Sequence, residues 1–209
     1  MNEQNINPWL SIWVRPRETI RYIIQKDANS HLWLLASFYG IVALLGLFQT
    51  FSLGYRIGLI PLIIAAIALA PFWGYAVFAL CAWFLKVIGK WLGGQGEFGE
   101  LRAAVAWSNV PIVFNILLWL IMLILFGSGL FQGFPGGSTM EPGILYALFA
   151  ILLGQVVLSV WRLVIFINAC SEVHQFSIWK SMLTIILGGI ALGVISFSFL
   201  TIGFYLIGI

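Results

Sequence analysis

The sequence predicts an all-α, polytopic membrane protein: a bundle of five transmembrane helices with short interfacial helices on the cytoplasmic side. Three observations predict it. Of 209 residues, 62% are apolar and only 8% are charged, where a soluble domain carries about 25% charged residues; so few charges cannot cover a surface that faces water. The apolar residues fall into long runs, each sufficient to cross a hydrocarbon core ~30 Å thick at a rise of ~1.5 Å per residue. The basic residues lie on alternate connections between those runs, as side chains retained on one face of a membrane do.

In chain order, residues 1–31 form a cytoplasmic amphipathic segment and residues 32–209 the five-helix transmembrane domain. The segment mixes Glu3, Glu18 and Asp27 with Arg15, Arg17, Arg21 and Lys26, which is unlike a cleaved signal peptide; the first apolar run is expected to serve as an uncleaved signal anchor. Pro16 suits the first position of a helix running to about Asp27, with Ile20, Ile23 and Ile24 on one face. Trp9 and Trp13 just before it suit the headgroup region.

The first span is predicted from Leu32 to about Ser52. A second starts near Ile60 and reaches about Ile88, with Pro71 inside as a potential kink. The third runs from Pro111 to about Leu130, the fourth from Ile144 to Cys170, and the fifth from about Ile178 almost to Ile209. The first connection carries only Arg56 and the third, Gly127 to Gly143, carries no basic residue, whereas the second carries Lys86, Lys90 and Arg102 and the fourth Lys180. That bias places the N-terminus in the cytoplasm and the C-terminus outside. Phe98 to Asn109 is expected to lie in the interface, with Phe98, Leu101 and Val105 as its apolar stripe and Glu97 and Glu100 turned away. The Gly-rich third connection reads as a mobile outer loop.

Trp83, Phe98 and Arg102 match Trp161, Phe176 and Lys180 at one ungapped offset, a faint internal repeat or shared interfacial chemistry. Gly189, Gly193 and Ser196 form one small-residue stripe, and Ala66, Ala70 and Gly74 another. Such stripes let helix backbones approach closely in lipid, and packing within the chain is the expected use of both. Cys81 and Cys170 lie in apolar runs and read as small buried side chains.

Catalytic signatures are missing: the sequence has no zinc-protease helix motif, nucleophile elbow or phosphate-binding loop. No metal or cofactor is expected, and no basic cluster is dense enough for nucleic acid. His31 and His174 are expected to be solvated loop groups, although Glu172 could serve His174 as an acid–base partner. The polar residue of most interest is Arg162, because an ionised group in lipid costs at least ~2.5 kcal/mol and usually marks a pathway or a partner. Gln155, Ser159 and Arg162 share one helix face, with Asn115 a plausible neighbour, and Glu97 or Glu100 could supply a carboxylate. This face forms a polar groove, or Arg162 snorkels and only anchors its helix.

Three segments stand out together: Asn-Pro-Trp near the N-terminus with Arg15-Pro16-Arg17-Glu18-Thr19-Ile20; Gly96-Glu97-Phe98-Gly99-Glu100-Leu101-Arg102 followed by Trp107-Ser108-Asn109-Val110-Pro111; and the turn from Glu172 to Ser181. In this order they resemble bacterial members of the Yip1-domain family. The resemblance implies a five-span protein with a cytoplasmic N-terminus. In eukaryotes that family is associated with Rab GTPases, vesicle traffic and membrane shaping. This chain departs from that branch in lacking its long cytosolic N-terminal region and its Asp-Leu-Tyr-Gly-Pro motif, so the bacterial inner membrane is the expected location.

The expected function is non-enzymatic: a membrane organiser or an adaptor for other membrane proteins, with membrane lipids and other membrane proteins as partners. Its binding surface is expected along Trp9 to Tyr22 and Phe98 to Trp107. The alternative is a small-solute or lipid transporter using the groove at Arg162. Candidate interaction or groove residues are Arg15, Pro16, Arg17, Glu97, Glu100, Arg102, Pro111, Asn115, Gln155, Ser159 and Arg162.

Overall fold

The computed structural model describes residues 7–133 and 141–207, and within 195–207 only the side chain of Ser198. The described chain is helical. Asn7 caps the short α1 (Pro8–Ser11) by accepting the Trp9 N–H on Oδ1 at 3.1 Å, with Pro8 at the first helical position. Next come α2 (Pro16–Asp27), α3 (Leu32–Thr50), α4 (Leu59–Trp91) and α5 (Phe98–Ser108). They are followed by α6 (Ile112–Phe126), which continues into a 3-10 turn at Gly127–Phe131, then α7 (Pro142–His174) and α8 (Ile178–Ile207).

Among the described residues, four helical stretches are long and apolar enough to cross a membrane: Leu32–Thr50, Leu59–Trp91, Ile112–Phe131 and Pro142–His174. The apolar part of α8 whose side chains are described, Ile178–Val194, is shorter. Large apolar side chains face outward along these helices. Ile60, Ile64 and Ile67 form one exposed row on α4, Ile124 on α6 is 82% exposed, and Phe149 on α7 is 72% exposed. Rows of this kind would be costly in water and are at rest in lipid, so the molecule is a multi-pass membrane protein.

The chain groups into two compact units. One comprises Ser30–Phe78 and Ala106–Ile165. In it α3 and α4 approach so closely that a Cβ on Gly40 would overlap the Ala70 backbone, and one on Gly74 the Ala36 backbone. The Ala66–Ala70–Gly74 stripe therefore packs within the chain, as expected. Leu44, Leu45, Leu62, Trp119, Met122 and Ile151 bury beside it. Trp119 stacks on Phe131 at 6.5 Å, and a Cβ at Gly54 would meet Phe131, so the start of the Gly127–Gly143 connection is packed. Residues 134–140 of that loop lie outside the described set.

The other unit comprises Met1–Asn29, Ala79–Val105 and Phe166–Ile209. Here the expectation for α8 fails. Gly189 and Gly193 have no described neighbour within reach of an added Cβ. The face that packs is turned away from them: Ser181 and Thr184 are fully buried and Gly188 lies against Phe84 and Ile88. Ser196 lies outside the described side chains. Pro71 does not break α4, which continues through it.

The repeat is half visible. Arg102 sits over the Phe98 ring at 5.4 Å and Lys180 over Phe176 at 5.5 Å, the same aromatic–cation pair one helical turn apart. The helices before them differ, because Trp83 lies about two turns from the end of α4 and Trp161 more than three turns from the end of α7. One ungapped offset does not superimpose the two turns.

Candidate functional site

Two polar constellations stand out, one in each unit. The first gathers at the His174 end of α7. Arg17, on the second residue of α2, donates from Nε to Asn168 Oδ1 at 3.2 Å and from a terminal nitrogen to Ser171 Oγ at 2.9 Å. One turn later Arg21 donates to Glu172 Oε1 at 2.7 Å. That hydrogen bond, reinforced by the carboxylate charge, raises the Arg21 pKa above its ordinary value. The buried residues of α2 are Thr19, Ile20 and Ile23, so α2 presents an apolar face inward and an arginine pair to the polar end of α7. Arg15 is exposed and pairs loosely with Glu18 at 3.7 Å. Pro16 starts α2 as the sequence indicates.

Glu97 and Glu100 organise the start of α5. Glu100 Oε2 accepts the Glu97 N–H at 3.1 Å, half of a capping box. Glu97 takes Lys86 at 2.6 Å and Lys90 at 3.6 Å, and the hydrogen bond from Lys86 is the first cause of its lowered pKa. The two carboxylates offered to Arg162 on sequence grounds are thus engaged locally. Arg102 donates to Asn29 Oδ1 at 2.7 Å. Little of α5 is open: Leu101, Ala103, Ala104, Val105, Ala106 and Trp107 are all buried. An interface-lying helix with a polar half exposed does not describe it.

His174 corrects the solvated-loop reading. It is 1% exposed. Its Nδ1 accepts the Gly96 N–H and its Nε2 lies at 3.2 Å from the Leu85 carbonyl, which can only accept. That pairing fixes the Nε2–H tautomer. The ring stacks on Phe176 at 4.9 Å, and a Cβ at Gly89, Gly94 or Gly96 would overlap it. Glu172 is held by Arg21, so no acid–base pair forms with His174. The signal available in the sequence was the glycine run around the α4–α5 connection, which frees space for a ring. His31, by contrast, is exposed as expected, lies edge-on to Trp107 at 5.7 Å and hydrogen-bonds Ser30.

The second constellation is a crevice lined by Pro111, Ile112, Asn115, Leu158, Ser159 and Arg162. It brings together Asn115, Ser159 and Arg162, three of the four residues expected to share a groove. Gln155 stands apart, donating to Met122 Sδ at 3.7 Å. Arg162 is half-buried and donates to Asn109 Oδ1 at 3.2 Å; among the described residues no carboxylate pairs with it. Among the described residues the buried Oδ1 of Asn115 has no hydrogen-bond donor. The crevice is half open, and its inner space has room for about one water molecule. Among the described residues no group of His, Cys, Asp and Glu could hold a metal ion.

Apolar helices long enough to cross a bilayer, with polar groups gathered at one end of α7 and at a single arginine within it, define a polytopic α-helical membrane protein. The chain belongs to the Yip1 domain family, whose model matches residues 10–201. Neither comparison, with curated proteins or with solved structures, gives a match.

Proposed function

We propose that this chain is a non-enzymatic organiser of the bacterial inner membrane, or an adaptor there for other membrane proteins. It crosses the membrane five times, with α8 as the last span, the N-terminus in the cytoplasm and the C-terminus outside. Residues 1–31 are the cytoplasmic segment, with α2 at the interface, and residues 32–209 the transmembrane domain. The charge bias of the connections supports this orientation.

One observation carries the role. Arg17 and Arg21 tie α2 to Asn168, Ser171 and Glu172, while Leu10 and Val14, 71% and 77% exposed, and Arg15 remain open beside it. A fixed basic segment with uncovered apolar side chains is built to meet a headgroup layer or a neighbouring protein. The surface is narrower than the sequence indicated, because Phe98 to Trp107 is mostly buried. Transport is the weaker reading: a passage needs continuous space, and the space at Arg162 holds about one water.

The test is crosslinking in native membranes followed by purification of the full chain. Enrichment of a protein or lipid over an unrelated five-span control, lost in an L10S/V14S variant, supports the role. Absence of enrichment over the control removes it.

A further inference from the structure

His174 ends α7 in a pocket that the α4–α5 connection closes. Gly89, Gly94 and Gly96 leave the space its ring fills, since a Cβ on any of them would overlap it. Two successive N–H groups of the connection donate to this one residue: Gln95 to its carbonyl oxygen at 3.4 Å and Gly96 to its Nδ1 at 3.2 Å. On the other side of the ring Nε2 donates to the Leu85 carbonyl of α4 at 3.2 Å. The neutral imidazole thus pairs both of its nitrogens.

A proton removes that fit. An imidazolium donates from both nitrogens, so an Nδ1–H would face the Gly96 N–H, donor against donor. A positive charge in a ring only 1% exposed is costly as well. The charged groups around it are engaged elsewhere. Lys86 and Lys90 of α4 pair with Glu97, and Glu172 of α7 pairs with Arg21 of α2. Lys180 of α8 sits over Phe176, the ring on which His174 stacks. Glu100 of α5 is the group whose charge favours the proton, and its carboxylate now accepts the Glu97 N–H that opens α5.

The connection is built to move. Gly93 has a φ of +85°, which side chains rarely adopt, and Gly94 and Gly96 follow it. Lys180 pins the start of the connection by donating to the Leu92 carbonyl at 3.3 Å, and Lys86 pins its end at Glu97. Between those pins the hold on α7 is made at His174.

We propose that His174 is a proton-operated latch. Neutral, it holds residues 93–96 against the end of α7; protonated, it exchanges the Gly96 N–H for the Glu100 carboxylate, so the connection swings out at its glycines and α5 loses its cap. The closed form binds the proton more weakly than the open one. The latch is therefore whole above the ordinary imidazole value of ~6.5 and weakens as pH falls below it. It goes beyond the organiser reading and stands or falls without it.

The experiment is hydrogen–deuterium exchange with mass spectrometry on the full chain in detergent, at about pH 7.5 and about pH 5.5, either side of the imidazole value. Rates are corrected for the intrinsic pH dependence of exchange. Opening of residues 93–98 should rise about tenfold at the lower pH, a decade for each unit below ~6.5, while α3 and α6 keep their protection. The chain holds two histidines, so His31→Gln is the control and should respond as the wild type does. His174→Asn sets an amide oxygen near the place of Nδ1 and does not titrate, so its protection in 93–98 should be equal at both pH values. Equal protection at both pH values in the wild type overturns the proposal and requires no variant to fold. A loss shared equally by α3 and α6 also overturns it, as does a response that survives in His174→Asn or disappears in His31→Gln.

Discussion

The two units hold their helices by different means. In the unit containing α3 and α6, backbones meet through Gly40, Ala70, Ala36 and Gly74, and the core around Trp119 and Phe131 is wholly apolar. In the unit containing α2 and α5, the ties are polar and reach far along the sequence: Arg17 to Asn168 and Ser171, Arg21 to Glu172, and His174 to Leu85 and Gly96. Lipid and water favour different kinds of helix contact. Hydrocarbon gives no hydrophobic drive between helices, so segments inside it depend on close van der Waals contact. Near the headgroups water returns, and charged hydrogen bonds become available as fasteners.

Substitutions should separate the two strategies, and the largest effect is expected in the glycine contact. Gly40→Val places a side chain against the Ala70 carbonyl, a backbone obstacle, so the cost should reach about 3 kcal/mol or more, the upper end for overpacking. The check is the thermal midpoint in detergent; a midpoint equal to wild type would mean that α3 and α4 do not meet there. Next is His174→Leu, which strands the Gly96 N–H and the Leu85 carbonyl and should cost about 2–3 kcal/mol.

A smaller loss, about 1.5 kcal/mol, is expected for Arg17→Ala, which removes two charge-assisted bonds. It should show locally as faster amide exchange in α2, with α3 and α6 unchanged. Equal acceleration in both units would erase the distinction between them.

The smallest effect belongs to Glu97, an exposed group between Lys86 and Lys90. Its pKa is lowered in the folded chain, so its contribution is present above the ordinary carboxylate value of ~4.3 and is lost as pH falls through the folded value. The difference between wild type and Glu97→Gln should therefore be small at neutral pH and vanish in acid. A difference that grows on acidification would contradict the ion pair.

Much of this was legible because lipid writes long signals. Leu32, Pro16 and Ile178 begin helices where composition and proline placement put them, and Ile144 to Cys170 falls within α7. The stripe of Ala70 and Gly74 packs as small residues in lipid should. What escaped depends on rotation and on distant partners. The stripe of Gly189 and Gly193 has the right residues on the wrong face, since Ser181, Thr184 and Gly188 turn inward, and hydroxyls bonded to backbone carbonyls bury as readily as glycine. Ser181 gives its proton to the Ile167 carbonyl at 2.8 Å, a partner far from it in sequence. His174 looked solvated because its acceptor and donor come from the end of α4 and the following turn, which no local pattern reveals. At Arg162, periodicity grouped Ser159 with the guanidinium and Asn115 was a plausible neighbour, but the pairing with Asn109 required the turn before α6. The carboxylates expected there were claimed by nearer lysines and by a helix cap.

The central claim is that α8 completes a fifth crossing. Fusing alkaline phosphatase or a green fluorescent protein after Ile209 of the full chain in a bacterial host tests it directly. Active phosphatase with a dark fluorescent fusion is expected; a fluorescent fusion with inactive phosphatase would leave the C-terminus in the cytoplasm and contradict five spans with the N-terminus inside.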